Sequence, residues 1–258
     1  MKIYVISLKR RPDRLQKVLD KFAECAFTNF EVVEAIDGQH ETYESLGNHY
    51  HQKRAANIQR PLTIGEICTS LSHQKAYQRI LCGNDTHGIV IEDDCPVTEE
   101  LIHFCNSAPP PVDIALLGYY TSNETAYCGT YKAQSYSYAI MDVCSESRVY
   151  FTNTSVGNLY KFDPKTRTVD FLHGAHCYCI SKQGCTTIIS FNYPVMVEAD
   201  NVWNYHQGID VYGIRPMLVD IDRQRADSDL EYDRATLRNS TQFSTKFLQR
   251  IDSPLFGI

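Results

Sequence analysis

Ile89-Val90-Ile91-Glu92-Asp93-Asp94 is the stretch on which the fold turns. Three β-branched apolar residues in succession read as a short buried strand. Three acids follow without a gap. Adjacent like charges repel, and a chain accepts them where something offsets the repulsion. In open α/β sheets, ligands bind beyond the carboxyl ends of strands, and a divalent cation there would offset this charge. Carboxylate oxygens suit Mg²⁺ or Mn²⁺, which take one or two carboxylates and complete their shell with substrate phosphates. The bland alternative is a solvated turn whose acids lead into a helix over 99–106, capped by Thr98.

Working back toward the amino terminus, residues 3–8 (IYVISL) form a second apolar run and a second buried strand. Pro12 then stands where a helical first turn tolerates proline, and Leu15, Val18, Leu19 and Phe22 follow at helical spacing. Phe30 to Ile36 reads as a strand closed by the turn signal Asp37-Gly38. This is a strand–helix–strand opening, the start of a parallel sheet. Between the first strand and its helix lies Lys9-Arg10-Arg11-Pro12-Asp13-Arg14. Helix amino termini attract phosphate, and guanidinium groups add bidentate contacts to it. A solvated basic patch is the competing reading.

Between these two stretches, residues 39–60 are polar, with His40, His49, His51, Lys53, Arg54 and Arg60, and are expected as a surface helix or mobile loop ended by Pro61. A helix is predicted from Ile64 to Leu81. Toward the carboxyl terminus come a strand over 113–119, hairpins and loops over 127–172, a strand over 175–180, a helix over 183–191 and a last strand within 211–221. Residues 222–258 are a charged, polar tail and a possible lid. No stretch reads as a linker, so 1–258 is expected to be a single domain.

Composition narrows the function. The 258 residues carry a formal net charge of −6, against nucleic acid as a main partner. No uninterrupted apolar run reaches the roughly 20 residues of a bilayer span, and Met1 opens directly into a strand, so a cytoplasmic location with at most peripheral membrane contact is expected. The ten cysteines are scattered and form no CxxC pair, which argues against structural zinc and for reduced thiols. Sequons at Asn84, Asn123, Asn153 and Asn239 point weakly the other way.

Five segments, in order, resemble glycosyltransferase family 25, the bacterial lipooligosaccharide galactosyltransferase group with relatives acting on collagen hydroxylysine. They are YVISLKRRPDRL (4–15), EAIDG (34–38), LTIGEICTSLSHQKAY (62–77), IVIEDD (89–94) and HGAHCYCISKQGC (173–185). The resemblance covers roughly 1–220. It implies a GT-A-like nucleotide-binding α/β domain with a mixed, mostly parallel central sheet flanked by helices. It further implies a UDP-sugar donor, a glycan or glycosylated acceptor, and Mn²⁺ or Mg²⁺.

On this resemblance Arg10, Arg11 and Arg14 would contact UDP with Ser7 at the strand end, and Asp37 would meet uracil or ribose. Asp94 would be the first metal ligand and Glu92 the second, with Asp93 nearer the ribose. Glu66 and His73 would shape the donor pocket, although Ser72 and His73 equally suit helix packing. The sequence departs from the family at Ser7, where asparagine is usual, and at Cys177, where alanine is usual. His176 would add a metal or phosphate ligand, although a lone histidine is more often simply hydrogen-bonded.

The family is thought to invert at the anomeric carbon. Such a displacement needs a stabilised leaving group and a base for the acceptor hydroxyl. Asp200 is the candidate base with Glu198 beside it, and a loop acid capping a helix at 201–206 is the alternative. The tyrosines crowded between 119 and 160 suit a sugar groove, or simply pack half-buried hairpins. Rival classes are an inactive GT-A-fold protein that binds nucleotide or glycan, and a sugar nucleotidyltransferase. The latter uses a glycine-rich loop after the first strand, and the loop here is arginine-rich. HExxH, G-x-G-x-x-G and G-x-x-x-x-G-K are absent, which removes metallohydrolase, dehydrogenase and P-loop readings.

Overall fold

The computed structural model describes residues 1–58, 61–121, 138–144, 147–152, 172–200, 202–204, 209, 211–215 and 217–219, all within the compact unit Met1–Arg225. The tail over 222–258, where the possible lid is expected, lies outside the described residues, as does most of the 127–172 insert.

The chain runs β1 (Lys2–Ser7), α1 (Pro12–Glu24), β2 (Phe30–Glu34), α2 (Gln52–Ile58), α3 (Ile64–Cys82), β3 (His87–Glu92), α4 (Glu99–Cys105), β4 (Ile114–Thr121), β5 (Tyr138–Cys144), β6 (Ser147–Thr152), β7 (Leu172–Ser181), α5 (Lys182–Asn192) and β8 (Val211–Arg215). The strands form one sheet in the order β2-β1-β3-β7-β4-β8-β6-β5. β1 pairs parallel with both β2 and β3, and β4 parallel with β8. β7 runs antiparallel to β3 and β4, and β6 antiparallel to β8 and β5. All strands but β7 and β6 therefore share one direction, which makes the sheet mixed and mostly parallel, as expected.

Both faces of the sheet are covered, and period-two alternation feeds two cores. Ile3, Val5, Ile89, Ile91, Cys177 and Cys179 face one core, which α1 closes with Val18 and Phe22 and α4 with Leu101 and Phe104. Tyr4, Ile6, Val90, Tyr178 and Ile180 face the other, closed by Tyr77 and Ile80 of α3 and Ile188 of α5. The alternation breaks at one place. Pairing of β4 with β7 slips between Leu116 and Gly118 and again between Gly118 and Tyr120. Tyr119 and Ala175 consequently join the α3 core out of step. Such bulges re-aim side chains at a strand end.

The polar segment after β2 holds the expected surface helix but corrects the sequence reading in its burial. It contains a short 3-10 turn (Gly38–His40) and α2, yet Leu46, Tyr50 and Ala55 are buried with Leu62, Ile67, Leu71 and Val195–Val197 in a third cluster. One apolar residue every four or five positions is too sparse to register as a pattern, and here it suffices to cover the back of α3. That helix is thus enclosed by the sheet on one side and this cluster on another. Its buried polar groups are satisfied: the Ser70 hydroxyl donates to the Val197 carbonyl at 3.1 Å, and Gln74 donates to the Asn192 carbonyl at 2.8 Å. Ser72 accepts from the Ile36 amide at 2.8 Å, which ties α3 to the end of β2.

Candidate functional site

The strand order reverses at β1. The chain goes out to β2 on one side, crosses back through α3, and returns as β3 on the other. The crevice beyond the carboxyl ends of β1 and β3 is the topological switch point, where α/β sheets bind ligands. Two loops meet there: Leu8–Arg11, leading into α1, and Asp93-Asp94, leading out of β3. Ile6 stands opposite Glu92 in register, and the Asp93 amide donates to the Ile6 carbonyl at 3.0 Å.

Asp93 turns inward. Its Oδ2 accepts from the Ser7 hydroxyl at 2.7 Å, and its Oδ1 lies 3.8 Å from Arg14 Nη1. Burial still raises this carboxyl, outweighing Ser7 and Arg14. Arg14, buried at the first turn of α1, lies also 3.8 Å from Asp94 Oδ2. The Asp94 side chain is 39% exposed. Its pKa is pushed up to about 7, first by desolvation and then by the Glu92 charge, with Arg14 opposing. Ser7 and Arg14, expected against the nucleotide, thus hold the acidic loop in place.

Glu92 ends β3, and its Oε1 lies 3.1 Å from Nε2 of the buried His73. Of the remaining basic residues, Arg10 donates through Nε to Asp37 Oδ2 at 2.8 Å, while Asp37 Oδ1 accepts from the Gln39 amide at 3.0 Å. Arg11 donates to Asp13 at 3.3 Å and holds that carboxyl below its ordinary range. Arg10 and Arg11 therefore border the crevice through carboxylate-paired guanidiniums. Glu66 has a different local task. It completes the capping box of α3: its carboxylate accepts from the Thr63 amide at 2.9 Å, and Thr63 Oγ1 accepts from the Glu66 amide at 3.1 Å.

The antiparallel β7 enters the same edge from the other side. Cys177 stands opposite Ile91, so His176 and Glu92 are the next residues along. The His176 ring is wedged between two glycines: an added Cβ would lie 2.7 Å from it at Gly118 and 2.7 Å at Gly174, the latter at φ +123°. The Gly174 amide donates to the Asp200 carbonyl at 3.4 Å, which brings the loop carrying the candidate base to the edge. That loop is stapled by the buried Asn192, which accepts from the Met196 and Val197 amides at 3.0 Å each and donates to the Val197 carbonyl at 2.9 Å. The segment over 49–51 backs it through His51 and Val195. Glu198 is buried, and Asp200 is half-buried.

The structure thus gathers Ser7, Arg14, Glu92, Asp93, Asp94 and His73 at the switch point, Arg10, Arg11 and Asp37 on its rim, and His176 and Asp200 at the adjoining strand end. Glu66 caps α3. Sequence reasoning missed Asn192 and the tyrosine pair Tyr178–Tyr77 behind His73, because no spacing rule marks a residue that works only through another. Among the described residues no three His, Cys, Asp or Glu side chains converge as a preformed metal centre. The donors at hand, Glu92 and Asp94, are hard oxygens whose mutual repulsion a cation would relieve, and they fit an ion completed by phosphate oxygens. Among the described residues eight cysteines, Cys95, Cys177 and Cys179 included, are free thiols. No helix among the described residues is long and apolar enough to cross a membrane.

Residues 1–203 match the family model described as glycosyltransferase family 25 (LPS biosynthesis protein). The chain is 31% identical over 103 residues to a glycosyltransferase 25 family member of Aedes aegypti, covering 36% of this chain and 16% of that one. It is 34% identical over 103 residues to human procollagen galactosyltransferase 2, covering 36% and 15%. The chain thus spans about a sixth of the length of these relatives. Among solved structures it is similar, at a TM-score of 0.40 and 8% identity over 96% of this chain and 98% of the other, to a protein from Bacillus anthracis described as a glucose-1-phosphate thymidylyltransferase in complex with sucrose. That likeness is too loose to bear on fold or function.

Proposed function

The chain belongs to glycosyltransferase family 25, and on that premise we propose that it transfers a hexose, galactose or glucose, from a UDP-sugar to a hydroxyl of a glycan, lipooligosaccharide or protein acceptor, with inversion. The observation that carries the reading is the placement of Glu92-Asp93-Asp94 at the carboxyl end of β3, where the strand order reverses. A GT-A-like donor site belongs there.

Each residue takes a task from its surroundings. Glu92 and Asp94 would hold a Mn²⁺ or Mg²⁺ ion together with the donor diphosphate. When bound, the ion supplies Lewis-acid stabilisation of the departing UDP. Arg10 and Arg11 on the rim add positive charge toward the same oxygens. Ser7 and Arg14 fix Asp93, and so fix the loop on which Asp94 sits. On the other side of the crevice Asp200 would accept the proton of the acceptor hydroxyl, freeing an oxygen lone pair to attack the anomeric carbon as the bond to UDP breaks.

Calorimetry of UDP binding, with and without Mn²⁺, on wild type and Asp94→Asn tests this reading. Binding is expected only with both the metal and Asp94. Absence of UDP binding by the wild type under every condition would overturn the proposal.

A further inference from the structure

The acid that ends β3 is tied to a hydrogen-bonded chain reaching into the core. On α3, His73 is 1% exposed. Its Nε2 lies 3.1 Å from Glu92 Oε1 and its Nδ1 lies 2.8 Å from the Tyr178 hydroxyl oxygen. The Tyr178 and Tyr77 hydroxyl oxygens lie 2.8 Å apart in turn. The imidazole lies nearly parallel to the Tyr178 ring, with centroids 5.8 Å apart and planes 20° apart, and Trp203 meets Tyr178 edge-on at 5.7 Å. Burial raises both phenols, so they act as neutral hydrogen-bonding groups.

This arrangement leaves the ring no freedom. Both nitrogens are engaged, and rotation about either side-chain bond would break a contact at each end. Glu92, by contrast, has a side chain 31% exposed. Unanchored, it would sample several rotamers and lose that entropy on binding.

We infer that His73 is a positioning residue, which fixes the Glu92 carboxylate at the switch point while the Tyr178–Tyr77 pair fixes His73. The inference rests on the reading of Glu92 and Asp94 as the cation and diphosphate site. Three elements contribute: α3 gives His73 and Tyr77, β7 gives Tyr178 and β3 gives Glu92. The docking of α3 on the sheet is thereby linked to the aim of one carboxylate. Partners of this kind behind a ligating side chain contribute about 10–100-fold to metal affinity.

The test is Mn²⁺ binding in the presence of UDP, read from the electron paramagnetic resonance of the free ion, on wild type, His73→Leu, His73→Gln and Tyr178→Phe, with thermal unfolding of each beside it. His73→Leu is expected to lose about 10–100-fold in Mn²⁺ affinity. His73→Gln, whose amide N–H stands near the place of Nε2, should retain most of it, and Tyr178→Phe should fall between. Equal affinity in His73→Leu and His73→Gln would make His73 a packing residue and overturn the inference.

A second readout does not involve the ion. In the protein without metal, the imidazole N–H resonance of His73, assigned by its loss in His73→Gln, should shift in both Glu92→Gln and Tyr178→Phe. A resonance unmoved by either change sinks the chain of contacts. Wild type that binds no Mn²⁺ with UDP would mean failure of the site reading alone, and the N–H shifts would then decide the positioning.

Discussion

At the β1–β3 end of the carboxyl edge, side chains hold side chains. Arg14 lies between Asp93 and Asp94, Ser7 holds Asp93, and His73 holds Glu92. At the β7 end, the backbone takes the same role: Gly174 at φ +123° bonds the Asp200 carbonyl, Gly118 leaves room for His176, and Asn192 staples three main-chain groups. The first end concentrates charge and must compensate it. The second spreads its acids, Glu198 and Asp200, along a loop that must be held in one shape. On the proposed function, a donor diphosphate with its cation would call for the former, and a base aimed at a variable acceptor for the latter.

Substitutions break this contrast in order of effect. Asp200→Asn is expected to lower turnover by about 10²–10⁴-fold and leave UDP affinity unchanged; steady-state kinetics beside calorimetry would show it, and equal losses in both would place Asp200 in donor binding. Arg14→Leu leaves Asp93 buried beside an uncompensated Asp94. A loss of about 3–5 kcal/mol is expected in denaturant unfolding, partly recovered by adding Asp93→Asn. Gly118→Ala puts a Cβ 2.7 Å from both His176 Nε2 and the Val219 carbonyl. Overpacking of this kind costs about 1–3 kcal/mol, and the melting temperature should drop while the proposed Mn²⁺ dependence of UDP binding stays unchanged. The smallest effect falls outside both ends: Thr63→Ala removes the α3 cap for about 1 kcal/mol, without altering kinetics. Should it change turnover as Asp200→Asn does, the division of labour proposed here is wrong.

The first end could be read in the sequence because its residues cluster in it. An apolar triplet followed by three acids, and an arginine-rich loop after an apolar run, each declare a strand end and a charge. Helices α1 and α4 were equally open to reading, since Pro12 and Thr98 mark their starts; the caps of α3 and α5, Thr63 and Ser181, emerge from the structure. The second end could not be read. The bulge around Gly174 depends on register with β4, and Asn192 matters only once the loop after it has folded back. The partnership of His73 with Glu92 joins residues 19 positions apart on different elements, and only the packing of α3 on the sheet reveals it. The burial of Leu46, Tyr50 and Ala55 escaped for a similar reason, as their partners come from α3 and from Val195–Val197.

The antiparallel placement of β7 has a consequence for the order of assembly. β3 and β4 are consecutive strands, yet they never pair with each other; β7 lies between them. As the chain leaves the ribosome, β2, β1 and β3 can associate first, with Ile89-Val90-Ile91 as an open edge whose partners Cys179, Tyr178 and Cys177 are not yet made. Open apolar edges invite pairing with another chain. Until β7 emerges, the protein is therefore most exposed to self-association along the strand that will carry its acids.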